Sequence, residues 1–185
     1  ILDNVIRHMN NSGISTMADT AQNDLGDIED VNIARNRITE CAREGPDPRF
    51  DSEAVGGIVL RNASRVRVHD NYVAGNGVGQ VPACGIFVHT CLGLEVSGNT
   101  VINNGSTTAQ DGRTAYQAGV VAMWVFGDIL QMGFQAGAPA ARIHDNVVIC
   151  PRGQALFALG LGPVSVTGNT LTSQGKRRQP SVFKG

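Results

Sequence analysis

The chain has 185 residues, 42% hydrophobic and only 5% aromatic, with 23 glycines and a formal net charge of -1. This composition describes a single turn-rich β domain rather than a helical bundle or a disordered chain. Near-neutral charge removes the electrostatic basis for binding nucleic acid, which rests on clustered Lys and Arg, and there is no apolar run of about 18 residues to insert into a membrane.

In chain order, the first elements are two short alternating strands around Asn4, with Ile1 three residues before it and Ile6 two after. The same frame returns at Asn36 (Ile33, Ile38), Asn71 (Val68, Val73), Asn99 (Val96, Val101), Asn146 (Ile143, Val148) and Asn169 (Val166, Leu171). Val31, Val66, Leu94, Ala141 and Val164 extend it to the position five before the Asn. Strict alternation on both sides of a tight turn indicates strands rather than helix. A third strand, opening on a small residue, precedes each frame from Asn36 onward: Gly13 to Met17, Gly57 to Arg61, Gly85 to His89, Gly119 to Met123 and Ala155 to Leu159.

The Asn residues are separated by 32, 35, 28, 47 and 23 positions. Such spacings mean one supersecondary unit stacked on the next, and three strands are enough to close one coil. Asn is expected at the bend because it tolerates the left-handed backbone region. At a coil spacing of about 4.8 Å, equivalent side-chain amides can bond up the column.

The segments Val66-Arg-Val-His-Asp-Asn-Tyr-Val73, Leu94-Glu-Val-Ser-Gly-Asn-Thr-Val101, Ala141-Arg-Ile-His-Asp-Asn-Val-Val148 and Val164-Ser-Val-Thr-Gly-Asn-Thr-Leu171 resemble the right-handed parallel β-helix repeat family, the pectate-lyase-like solenoids. The resemblance covers residues 1 to 172. It implies an all-β parallel β-helix of about six coils with an Asn ladder, followed by a tail over 173–185. It also implies an extracellular or cell-surface setting. Ile1 already sits at an inward strand position with nothing ahead of it. An uncovered solenoid end is an aggregation hazard. A segment of a longer protein is therefore expected, or an end covered by further coils or by another chain in an oligomer.

Function in such a fold lives in the loops and the grooves they wall. Long connections run from Ala18 to Asp30 and from Gly127 to Ala140 on one side of the Gly-led strands. Others run from Glu40 to Gly56, Ala74 to Cys84 and Asn103 to Ala118 on the opposite side. In the enzymes of the family a groove on that sheet holds polysaccharide. With Ile14, Ile58, Ile86, Val120 and Leu156 inward, alternation turns Ser15, Val59, Phe87, Val121 and Phe157 outward, then Met17, Arg61, His89, Met123 and Leu159. No carboxylate lies on that floor, whereas glycoside hydrolysis ordinarily uses two acids. Elimination by a lyase needs a base such as Arg61 or His89 together with acidic oxygen ligands if calcium is used.

The loops carry acids, and Asp27, Asp51 and Glu53 are the catalytic candidates among them. The segment Asp47-Pro-Arg-Phe-Asp51 is distantly similar to the Asp-Pro-His-Asp/Glu motif of alginate epimerases, with Arg49 in place of His and Phe50 intervening. His69 and His144 occupy one repeat position and read as turn consensus. Cys41, Cys84, Cys91 and Cys150 show neither CxxC pairing nor zinc spacing and read as free thiols, so no metal site or cofactor is expected, calcium excepted in a lyase. Phe87, His89, Tyr116, Trp124 and Phe157 are the ligand-binding candidates, because concave aromatic surfaces stack on sugars or form protein interfaces. Three readings follow. The first is a non-catalytic segment binding polysaccharide or a protein partner along a groove. The second is a polysaccharide lyase, hydrolase or uronate epimerase. The third is a structural stalk.

Overall fold

A computed structural model describes residues 1–16, 28–43, 55–78, 83–105, 118–127, 139–150 and 153–173. Asp27, Asp51, Glu53 and Tyr116, most of each long connection, and the tail beyond Ser173 lie outside the described residues.

The chain winds as a right-handed parallel β-helix, every strand pairing in parallel with its equivalent one coil away. One facet is a sheet of six short strands in sequential order: Val5–Arg7, Arg37–Thr39, Tyr72–Ala74, Thr100–Ile102, Val147–Cys150 and Thr170–Ser173. The other two facets share longer strands. Val55–His69 and Ala83–Ser97 run through both, bending between them, while the coil after them is divided into Ala118–Phe126 and Ala141–His144. We call these the first facet (Gly-led), the second facet (preceding the Asn bend) and the third facet (following it).

Inside lies one apolar column. Ile33, Val68, Val96 and Ile143 stack on the second facet, and Ile38, Val73, Val101 and Val148 on the third, all at 0–1% exposure. In the outermost coils the corresponding side chains are open, as at Ile1, Val166 and Leu171. The glycines that open the first-facet strands have a packing reason. A Cβ on Gly57, Gly85 or Gly119 would strike the inward Val73, Val101 or Val148 across the coil. The section is too narrow there for two side chains.

The Asn ladder is continuous from Asn4 to Asn169. At each step the amide oxygen of the next Asn accepts from both the backbone N–H and the side-chain amide of the one before, all at 2.8–3.0 Å. The second amide hydrogen serves a backbone carbonyl, as from Asn99 to Val68. One expectation is corrected: the left-handed residue is the one before each Asn. Asp3, Arg35, Asp70, Gly98, Asp145 and Gly168 have φ between 53° and 64°. Asn is therefore at the bend for its side-chain amide, and the neighbour takes the backbone turn. A shorter ladder runs parallel, in which Asn104 Oδ1 accepts from Asn76, and Asn76 Oδ1 accepts from the Cys41 N–H. It follows the Asn frame by five residues, a recurrence visible in the sequence as Asn71/Asn76 and Asn99/Asn104.

Candidate functional site

The outward face of the first facet has the register that alternation predicts: Ser15, Val59, Phe87, Val121 and Phe157 are aligned, as are Arg61, His89, Met123 and Leu159. Its exposure is what differs from an open floor. Val59, Phe87, Val121 and Met123 are buried with Cys84 and Ala118, and Phe157 packs against them. Phe87, at 5% exposure, stacks on the His89 ring with centroids 6.1 Å apart. His89 Nδ1 lies 2.8 Å from Thr90 Oγ1. This face is a small second core in which Phe87 is buried from solvent.

Trp124 is separate from that cluster. It is 43% exposed at the bend between the first and second facets, where the register shifts between Met123 and Val125 relative to the following coil. Asn62 and Thr90 occupy the equivalent bend positions of the two preceding coils, and all three backbones are left-handed, Trp124 at φ 53°, Asn62 at 47° and Thr90 at 57°. For Thr and Trp that conformation is strained by about 1–2 kcal/mol.

The second facet carries an open cleft of about 570 Å³ with a mixed polar and apolar lining. Residues 30–32, 65–67 and 93–95 with Pro139 and Arg142 line it, so it crosses four successive coils and its length follows the solenoid axis. The outward positions form two rows. Asn32, Arg67, Glu95, Arg142 and Ser165 make one; Ala34, His69, Ser97, His144 and Thr167 make the other. These are the positions four and two before each ladder Asn, so the repeat frame already contained them. In the sequence His69 and His144 read as turn consensus, and Arg67, Glu95 and Arg142 carry no signal beyond their place in the repeat.

Ion pairs set the charge of this face. Arg65 forks onto Asp30, its Nε donating to Oδ1 at 2.7 Å and its Nη2 to Oδ2 at 2.9 Å, and Nη2 also donates to Glu29 at 2.6 Å. This pairing holds the Asp30 carboxyl below its ordinary value and raises Arg65. Arg67 reaches Glu95 only at 3.9 Å, its side chain is 70% exposed, and it lines the cleft. Glu95 Oε1 lies 3.6 Å from His144 Nε2, while His144 Nδ1 lies 2.8 Å from Asp145 Oδ2. The bond to Asp145, with Glu95 adding, raises the His144 pKa. His69 sits between Asp70 (2.9 Å) and Asn32 (3.0 Å). His69 and His144 are thus equivalent in the frame but have different partners, because Glu95 stands one coil before His144 and Asn32 one coil before His69.

Arg61 and His89 share a row on the first facet and are not joined there by an acid from the described residues of the same row. Among the described residues no group of three or more His, Cys, Asp or Glu is arranged to hold a metal ion. All four cysteines are buried and outside any disulfide. Burial pushes the Cys84 and Cys91 thiols up to about 12.

Residues 1–171 match the family model for the right handed beta helix region, and the chain belongs to that family. No curated protein and no solved structure matches it.

Proposed function

We propose that this β-helix binds an extended carbohydrate chain along the cleft of its second facet. The observation that carries the reading is the Asn32–Arg67–Glu95–Arg142–Ser165 row, which repeats hydrogen-bonding groups at coil spacing along a cleft aligned with the solenoid axis. Linear glycans present hydroxyl and acid groups at regular intervals, and planar arginine forks suit carboxylate and sulfate oxygens. Arg67 and Arg142 are the binding residues, Asn32 and Ser165 extend the row, and Trp124 offers an exposed ring at the neighbouring bend. Affinity electrophoresis through gels containing acidic or neutral polysaccharide tests this. Retardation by a polysaccharide, lost in an Arg67→Ala/Arg142→Ala double variant that melts at the wild-type temperature, supports it. Equal mobility in every gel, or retardation that survives the double variant, refutes it.

A second reading, a depolymerising enzyme, draws on the Glu95–His144 pair, since a carboxylate and an imidazole in one cleft can move a proton. Release of reducing ends or unsaturated uronate, with and without calcium, separates the two, and Glu95→Gln should abolish such release. Asp27, Asp51, Glu53, Arg61 and His89 remain the further substitutions to make if activity is found and Glu95→Gln retains it.

A further inference from the structure

This inference rests on the glycan-binding reading and narrows its ligand. The outward row of the second facet places Arg67, Glu95 and Arg142 on three adjacent coils. Each step is one strand spacing, about 4.8 Å. Arg67 and Arg142 are thus two coils apart, with a carboxylate between them, and the neutral Asn32 and Ser165 stand outside the trio. Along this row the charges read plus, minus, plus; Asp30 and Arg65, which also line the cleft, pair with each other, and His144 Nε2 lies 3.6 Å from Glu95.

We infer that the cleft selects a glycan carrying an acid on every second sugar, with a neutral, hydrogen-bond-donating sugar between. An extended glycan advances by close to one coil per sugar. Acids on alternate sugars then meet Arg67 and Arg142, while the intervening hydroxyl or amide N–H donates to Glu95. A homopolyuronate instead brings a carboxylate to the middle position, where Glu95 repels it. Like charges at such distance in a half-exposed cleft disfavour binding measurably. Glu95 is therefore a specificity-determining residue that works by exclusion, and the arginines supply the attraction.

The test is calorimetric titration of the purified chain, at low ionic strength, with hyaluronate oligosaccharides (alternating glucuronate and N-acetylglucosamine) and with oligogalacturonates of the same length. Hyaluronate should bind about tenfold tighter or better. Glu95→Gln, an isosteric change at a partly exposed position, should shrink that preference at least about fivefold by admitting galacturonate. Galacturonate binding as tightly as hyaluronate, or a preference unchanged in Glu95→Gln, overturns this inference while leaving glycan binding intact. Binding of neither polymer overturns the glycan reading itself, and the inference with it.

Discussion

The first and second facets are cut from the same continuous strands, Val55–His69 and Ala83–Ser97, yet their outward faces have opposite fates. Val59 and Phe87, early in those strands, belong to a buried apolar cluster. Arg67 and Glu95, eight residues further on in each strand, line an open cleft. Backbone pairing and coil spacing are the same in both places, so the ladder sets only where side chains recur. What packs against each face decides whether it is buried or left open.

The comparison breaks first if the inward assignment is wrong. Val96 is fully buried on the second facet. Val96→Asp places an unpaired charge between coils at a cost of several kcal/mol or more, so no cooperatively folded protein is expected. A soluble variant with a sharp thermal transition sinks the assignment. Next comes the contrast between the two outward faces. Phe87→Ala should destabilise by about 3 to 5 kcal/mol in urea denaturation, as large-to-small core changes do. Arg67→Ala, on the same pair of strands, should stay within about 0.5 kcal/mol of wild type. Similar values for the two variants erase the distinction between a second core and a free surface.

The ladder is tested by Asn99→Ala. That change leaves the Asn71 backbone N–H without its buried acceptor, removes the amide donor to the Val68 carbonyl, and takes one acceptor from the Asn71 side-chain amide, which keeps the Ile33 and His69 carbonyls. A loss of about 2 to 4 kcal/mol is expected, since unsatisfied buried groups cost about 1–3 kcal/mol each and relaxation recovers part. A loss below that range means that water reaches the column. The interior also predicts slow chemistry. With thiols pushed up to about 12, Cys84 and Cys91 should resist alkylation near pH 8 until the chain unfolds. Rapid labelling of either under native conditions shows that the coils open locally.

The smallest effect belongs to the cleft. The His144 pKa is raised by Asp145 first and Glu95 second. Its contribution to stability is therefore fully present below the ordinary histidine value and is lost as pH rises through the raised, folded value. His144 and Glu95 are each about a third exposed and Asp145 mostly so, and with solvent screening the effect should be about 0.5 kcal/mol or less. A His144→Gln variant should flatten the melting-temperature profile across that window. An identical slope in both proteins excludes His144 as its source.

Much of this was legible in the sequence. The Asn frame fixed the third facet, the ladder and the inward columns, because period-2 alternation and a repeated turn are local properties that stacking only multiplies. The first-facet register was legible for the same reason. Burial of the outward row was not: Phe87 and Val121 look alike in sequence whether a face is open or covered, and covering is decided by what packs there in three dimensions. Arg67, Glu95 and Arg142 were readable as frame positions, but their meaning was not. They lie 28 and 47 residues apart, and only coil stacking makes them adjacent charges of alternating sign. The sequence by itself determined the solenoid, since one side chain in two must leave water whenever such strands pair. Only the tertiary structure decided which outward face remained open, because that depends on contacts between coils and not on any one repeat.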